Sequence, residues 1–309
     1  MKHLFIINPS AGKGRPLRLI PEIERFFKNQ GLEYCIETTG YPGQATEIAS
    51  RYDGDEYRIY SVGGDGTLNE IINGMIGRNS SLAVIPAGSG NDFFRSISGN
   101  LPLTDLFFQT VYGREELIDL GLVNGRYFIN IASLGFDAEV AYNTQNIKKG
   151  LLIPSNLCYL AGVLNTLFRY RNNRMRVTVD GRTLENRFLL IAVANGRYYG
   201  GGLMPAPGAE VDDGLLDVCI ITARNLFQII GTFSKYIKGG HCQLPGVHYL
   251  KGKSVKVLCD RDVALNIDGE VMKAREAVFQ IIPGGIKLVV PRPEVLKGRA
   301  QAATTREGC

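Results

Sequence analysis

Gly63-Gly64-Asp65-Gly66-Thr67 sets three glycines around one carboxylate, directly after the apolar run Tyr57–Val62 and before a segment of helical period. The pattern predicts a strand, a tight turn and a helix start. Glycine lets the chain take positive φ and lets a bulky anion approach the backbone. Amides at a helix N-terminus point at such an anion, and the helix dipole favours negative charge there. A carboxylate in this turn would repel a bare phosphate. It makes sense if a metal ion mediates the contact, or if it bonds a neutral part of the ligand. The loop therefore suggests a nucleotide site that uses Mg²⁺. The plainer alternative is a structural βα turn in which Asp65 or Thr67 caps the helix. No Gly-Lys-Ser/Thr follows, so the loop is not a Walker A motif, and Gly12-Lys13-Gly14 lacks that spacing as well. The third glycine of the dinucleotide fingerprint is also missing.

Two further turns carry the same residue types: Asn8-Pro9-Ser10-Ala11-Gly12-Lys13-Gly14 and Ala87-Gly88-Ser89-Gly90-Asn91-Asp92. Later in the chain two carboxylate turns stand out, Asp212-Asp213-Gly214 and Asp268-Gly269-Glu270. Taken alone, the first reads as a polar turn and the second as a hairpin turn with solvated charges.

The elements that must position these residues fall into two patterns. Leu4–Ile7 reads as a short buried strand, and Tyr34–Thr39, Tyr57–Val62 and Leu82–Pro86 read as further strands. Helical spacing over Leu19–Phe27, Ala45–Tyr52 and Asn69–Met75 separates them. This alternation to about residue 110 predicts a parallel α/β sheet. Ligands of such sheets bind beyond the carboxyl ends of the strands. Three glycine-bearing turns follow three apolar strands, so all three are expected to face one crevice. From Glu115 short alternating strands dominate, with Val123-Asn124-Gly125-Arg126 and Val179-Asp180-Gly181-Arg182 as turns, and the pattern reads as a β-rich sandwich or barrel. Helical segments are expected over Leu157–Arg171 and Asn225–Ile237, and residues 287–309 are expected to return toward the first domain. The expected boundaries are 1–114, completed by 290–309, for an α/β domain, and 115–289 for a β domain.

The 309 residues are enough for two domains. An apolar fraction of 45% and a charged fraction of 21% are those of a folded soluble protein. The net charge of +5 fits weak attraction to an anionic surface, and is also ordinary for a chain this long. No nucleic-acid-binding motif accompanies the charge, so no nucleic-acid partner is expected. The six cysteines form no Cys-x-x-Cys pair, and buried free thiols in a reducing compartment account for them. Neither a signal peptide nor an apolar run of bilayer length is found, and the expected location is cytoplasmic.

Taken together, the motifs resemble the bacterial soluble diacylglycerol kinase and lipid kinase family, whose catalytic domain is shared with sphingosine kinases. The elements that carry the resemblance are Asn8–Gly14, Gly63–Glu70, Pro86–Phe93, Ser133-Leu134-Gly135-Phe136-Asp137-Ala138, Asp212–Val218 and Asn266-Ile267-Asp268-Gly269-Glu270. They occur in the family's order and span nearly the whole chain. The resemblance implies an ATP-binding α/β domain, a β-sandwich domain and an active site in a cleft between them. It also implies roles. Asn8, Pro9, Ser10, Ala11, Gly12, Thr39, Gly63, Gly64, Asp65, Gly66, Thr67, Asn69, Ser89 and Asn91 would line the nucleotide site. Asp65 would act on the ATP phosphates through Mg²⁺. Glu270 would be the general base toward a lipid hydroxyl. Asp213, with carbonyls near Glu210 and Leu215, would hold a structural Mg²⁺. Ser89 stands where many relatives carry Thr, and the hydroxyl is kept.

The implied function is transfer of the γ-phosphoryl of ATP to a diacylglycerol-like hydroxyl. Phosphatidylglycerol, a sphingoid base or NAD are alternative acceptors, and a non-catalytic nucleotide or lipid sensor is an alternative of another class. The apolar segment Leu151–Leu164, preceded by Lys148-Lys149 and followed by Arg169, Arg171, Arg174 and Arg176, suits transient peripheral contact with an anionic membrane. A core helix with solvated flanks suits it equally well. A homodimer is left open.

Overall fold

The computed structural model describes residues 1–98, 106–142, 173–222, 231, 232 and 235–291. The chain divides into two units, Met1–Ile118 with Gly284–Cys309, and Asp119–Pro283.

The first unit is built on β1 (Lys2–Ile7), β2 (Tyr34–Thr38), β3 (Tyr57–Gly63) and β4 (Ser81–Pro86). The order β4-β3-β1-β2 is parallel throughout. Leu288 and Val289 extend the sheet by pairing in parallel with Leu82 and Ala83. Leu4 to Ile7 are all buried, as a strand covered on both faces requires. Helices α1 (Arg15–Gln30), α2 (Gln44–Ala49), α3 (Asp65–Met75), α4 (Asp92–Ser98) and α5 (Leu106–Val111) follow or separate the strands. Ile23, Phe26 and Phe27 of α1 pack with Phe5, Tyr60 and Phe107 into one core. Between α2 and α3, Gly74 is required because a Cβ there would lie 2.4 Å from the Thr46 carbonyl oxygen. The helix expected over Ala45–Tyr52 stops at Ala49, beyond which the Arg51 and Tyr52 amides turn back only three residues, to the Ile48 and Ala49 carbonyls.

The second unit is antiparallel, as the alternating runs predict. It contains β6 (Arg126–Phe128), β7 (Ile131–Gly135), β8 (Asn173–Val179), β9 (Arg182–Ala194), β10 (Leu216–Thr222), β11 (Val247–Gly252) and β12 (Ser254–Ile267). The strand β5 (Arg114–Val123) crosses from the first unit into this one after Ile118, and β13 (Glu270–Val290) belongs to this one up to Pro283. β9 pairs with β8 along its first half and with β7 and β10 along its second. β12 does the same with β8 and β7 while pairing with β13 along both halves. The two long strands therefore wrap one core that includes Phe128, Phe188 and Phe279. Three hairpins close on two residues at positive φ, Asn124-Gly125, Asp180-Gly181 and Asp268-Gly269. These are the residue pairs a type I′ turn demands.

Among the cysteines, Cys219 and Cys259 are buried free thiols, whereas Cys35 is exposed because it lies in β2 at the end of the pairing order. The apolar segment 151–164, its basic flanks at 148, 149, 169 and 171, the helix expected over 157–171, most of that over 225–237 and the tail from 292 lie outside the described residues. So do Cys158 and Cys309. No helix among the described residues is long and apolar enough to cross a membrane.

Within β1, His3 places Nδ1 2.9 Å from the Tyr60 hydroxyl and its ring against Phe27. Burial, with help from the Arg58 guanidinium and the N-terminus, lowers its pKa from 6.5 to about 4. The folded state therefore favours neutral imidazole. Its stabilisation is present above the unfolded pKa of 6.5 and is lost as pH falls toward 4. Lowering the pH from 7 to 5 is expected to cost about 2 kcal/mol at this residue. Urea unfolding of the wild type and of His3→Gln at both pH values checks this, because the variant should lose that part of the pH dependence.

Candidate active site

The glycine turns leave the carboxyl ends of β1, β3 and β4, and the backbone fastens them together. Ala87 and Gly88 both donate their amides to the Gly63 carbonyl, at 2.8 and 2.9 Å. A Cβ on Gly88 would lie 2.4 Å from the Gly64 Cα. Gly12, at φ +51°, brings the first turn so near that its Cβ would fall 1.9 Å from the Ala87 oxygen. Only glycine can occupy these positions without moving main chain against main chain. Side chains complete the fastening. Asn8 donates to the Thr67 hydroxyl at 2.9 Å and accepts from the Ser10 amide at 3.0 Å. Asn91, itself at φ +54°, accepts from the Gly88 amide and donates to the Gly88 carbonyl, each at 3.0 Å.

Asp65 is the first residue of α3, yet its carboxylate does not cap that helix; Gly64 is the N-cap, without a side-chain bond. Instead Oδ1 accepts the Phe93 amide in the first turn of α4 at 3.2 Å, tying the second turn to the third. A Cβ on Gly90 would lie 3.0 Å from Asp65 Oδ2 and would crowd that oxygen. The turn thus forms a small cradle beside a carboxylate, which suits a magnesium-bound phosphate in donor chemistry and in the space a side chain would fill.

A pocket of about 160 Å³ opens beside these turns. Asn8, Ser10, Thr39 and Thr67 line it, together with Gly40, Tyr41, Pro42, Ala45 and Glu70. Thr39 is buried and bonds the Ile7 carbonyl through its amide at 2.9 Å. Sequence reasoning missed Tyr41 and Glu70. The available signal was that Gly40-Tyr41-Pro42 follows β2 at the same end of the sheet. Glu70 also accepts the Ala45 amide near the start of α2 at 3.2 Å. Of the other residues expected here, Ser89 is exposed at the tip of the third turn, while Asn69 is buried in α3 with Asn73 donating to its carbonyl.

Glu270 lies in the second unit, at the first position of β13, directly opposite Ile267 across the Asp268-Gly269 turn. Its carboxylate pairs with Arg126 at 2.5 Å, and the Glu270 side chain is 42% exposed. The turn is held by Asp268, which is buried and accepts three amides in succession: Ile129 at 2.9, Asn130 at 3.2 and Ile131 at 2.9 Å. Asn266 also accepts the Gly269 amide at 2.9 Å. The position of Glu270 is thus fixed by the strand register and by its neighbour's carboxylate.

Asp213 is held differently. Its Oδ1 accepts the Leu215 amide at 3.0 Å, and its Oδ2 lies 2.8 Å from the Lys251 ammonium. Burial opposes the charge of Lys251, but Asp213 and Asp217 outweigh it and raise its pKa. Glu210 is exposed. Among the described residues no group of three His, Cys, Asp or Glu could hold a metal ion.

Two protein-family models match the chain. The diacylglycerol kinase catalytic domain matches residues 2–123, and the YegS C-terminal NAD kinase beta sandwich-like domain matches residues 130–290. A diacylglycerol kinase of Staphylococcus carnosus (strain TM300) is 30% identical over 93% of this chain and 94% of its own. A diacylglycerol kinase of Bacillus subtilis (strain 168) is 30% identical over 93% of this chain and 96% of its own. A crystal structure of a diacylglycerol kinase from Bacillus anthracis str. Sterne shares the fold, with a TM-score of 0.70 at 22% identity over 95% of this chain and 98% of that one.

Gly88→Ala is expected to destabilise the protein by about 1–3 kcal/mol, because backbone must move to admit the methyl group. Gly66→Ala, which meets no atom within 4 Å, is expected to be neutral or slightly stabilising in the first turn of α3. Asp268→Ala should cost about 3 kcal/mol by leaving three buried amides unpaired, and Asp268→Asn should cost less because one oxygen still accepts. Chemical denaturation of the four variants measures all of these.

Proposed function

The chain belongs to the diacylglycerol kinase family, lipid kinases that transfer phosphate to a hydroxyl, and from this we propose that it moves the γ-phosphoryl of ATP to a diacylglycerol-like acceptor with Mg²⁺. The observation that carries the nucleotide side of this reading is the convergence of three glycine turns around Asp65. Phosphoryl transfer asks a protein chiefly for positioning and charge stabilisation. The turns after β1, β3 and β4 would cradle the phosphates with main-chain amides. Asn8, Thr39 and Thr67 would line the nucleotide's approach, and Asp65 would hold the metal. When bound, Mg²⁺ supplies neutralisation of the charge that develops on the transferred phosphoryl group.

Glu270 is the proposed general base. It would accept the proton of the lipid hydroxyl as that oxygen attacks phosphorus. Arg126 would keep the carboxylate oriented, and the Asp268 clamp would keep it in register. Cytoplasmic location, transient membrane contact and acceptor identity form the rest of the proposal. They are supported by the family and by the chemistry of a lipid substrate that must be taken from a bilayer.

Turnover of labelled ATP against diacylglycerol, phosphatidylglycerol, a sphingoid base and NAD assigns the acceptor. Phosphatidic acid is the expected product, and turnover by NAD alone would reassign the enzyme. Glu270→Gln is expected to lower kcat by about 10²–10⁴-fold while ATP still binds. Near wild-type turnover would remove Glu270 from the base role. Gly66→Ala is expected to weaken ATP binding roughly tenfold, about 1.4 kcal/mol, without lowering Tm. Binding is read by calorimetry and Tm by thermal melting.

A further inference from the structure

The oxygen cluster around Asp213 already contains a cation. Lys251 stands in β11 directly opposite Asp217 of β10. Its Nζ lies 2.8 Å from Asp213 Oδ2, 3.3 Å from Asp217 Oδ2 and 3.1 Å from the Gly208 carbonyl oxygen. Two carboxylates and a carbonyl are the ligands a hard divalent ion would choose. Here they converge on an ammonium.

The remaining contacts fit the same arrangement. Asp213 Oδ1 accepts the Leu215 amide. Asp217 is fully buried, and its Oδ1 accepts the Tyr249 hydroxyl at 2.6 Å. Tyr249 in turn accepts the Gly208 amide at 3.3 Å. Each carboxylate therefore has one oxygen on a neutral donor and one on Lys251. A dication bound to Asp213 Oδ2 would stand against the ammonium on the same oxygen, and like charges at such distances repel strongly in a partly desolvated site.

We propose that Lys251 is the resident cation of this cluster and takes the place of a structural divalent metal, so that the second unit keeps its shape without magnesium. The magnesium requirement of the protein is then confined to the nucleotide. This assignment stands apart from the choice of acceptor and from the role of Glu270.

The test uses the full chain without nucleotide. Thermal melting in EDTA and in MgCl₂ should give the same Tm for the wild type, and Mn²⁺ titrated in as a paramagnetic probe should show no tight site. Lys251→Gln should melt lower in EDTA by roughly 5–10 °C, because two carboxylates lose their counter-charge. Added Mg²⁺ should recover much of that loss, and Mn²⁺ should bind the variant but not the double variant that also carries Asp213→Asn. A wild-type Mn²⁺ site abolished by Asp213→Asn, or a wild-type Tm raised by Mg²⁺, overturns the proposal. So does a Lys251→Gln variant as stable in EDTA as the wild type. The wild-type measurements decide the matter even where the variant does not fold.

Discussion

The candidate site depends on two stretches of backbone touching where side chains would ordinarily intervene. Parallel pairing sets Val62 opposite Ile85 and Gly63 opposite Pro86, so the turns after β3 and β4 leave the sheet at one level. Neighbouring strands lie about 4.8 Å apart. Loops that continue at that spacing meet unless one of them lacks a Cβ. Gly64 and Gly88 meet in this way, and Gly12 does the same against Ala87. The contact converts three local turns into one rigid surface whose amides share a common end of the sheet. Asp65 could not reach the Phe93 amide, nor Asn8 the Thr67 hydroxyl, if these loops stood a side chain's width further apart.

The second unit solves a similar problem with a carboxylate instead of a missing side chain. A type I′ turn fixes where β13 begins, but a two-residue turn by itself can hinge. Asp268 removes that freedom by accepting three consecutive amides from the segment that leads into β7. Charge-assisted bonds of this kind are about twice as strong as neutral ones. Asp268, which reads from the sequence as a solvated turn charge, thus serves to hold its neighbour.

Much of this was legible from residue types because the relevant physics is local. Buried parallel strands read as continuous apolar runs, and the three positive-φ hairpins read as Asn-Gly or Asp-Gly. The order of the glycine motifs also placed their turns on one edge. What escaped was set by partners far away in the chain. Asp65 as an acceptor for α4, Tyr41 and Glu70 on the pocket wall and Lys251 on Asp213 depend on strand order, which spacing does not encode. The strand β13 is not legible from the pattern because the exposed Lys273, Arg275 and Glu276 interrupt its apolar alternation with charge. Cys35 was expected to be buried with the other thiols, and its exposure follows from where β2 falls in the sheet.

The pairing of Glu270 with Arg126 bears on whether that carboxylate can serve as a base at all. A base must take up a proton, and doing so sacrifices its ion pair. Were the pair fully buried, breaking it would strand a guanidinium and cost several kcal/mol. The pair here is partly exposed on both sides, at 42% for Glu270 and 32% for Arg126, so solvent screens it. Exposed pairs of this kind are worth about 0–1 kcal/mol. That loss corresponds to less than a tenfold effect on rate, far smaller than the contribution expected of a positioned base. As the proposed base, Glu270 would therefore be oriented by the guanidinium at little expense to its chemistry, and the exposure of the pair is what would make the two roles compatible.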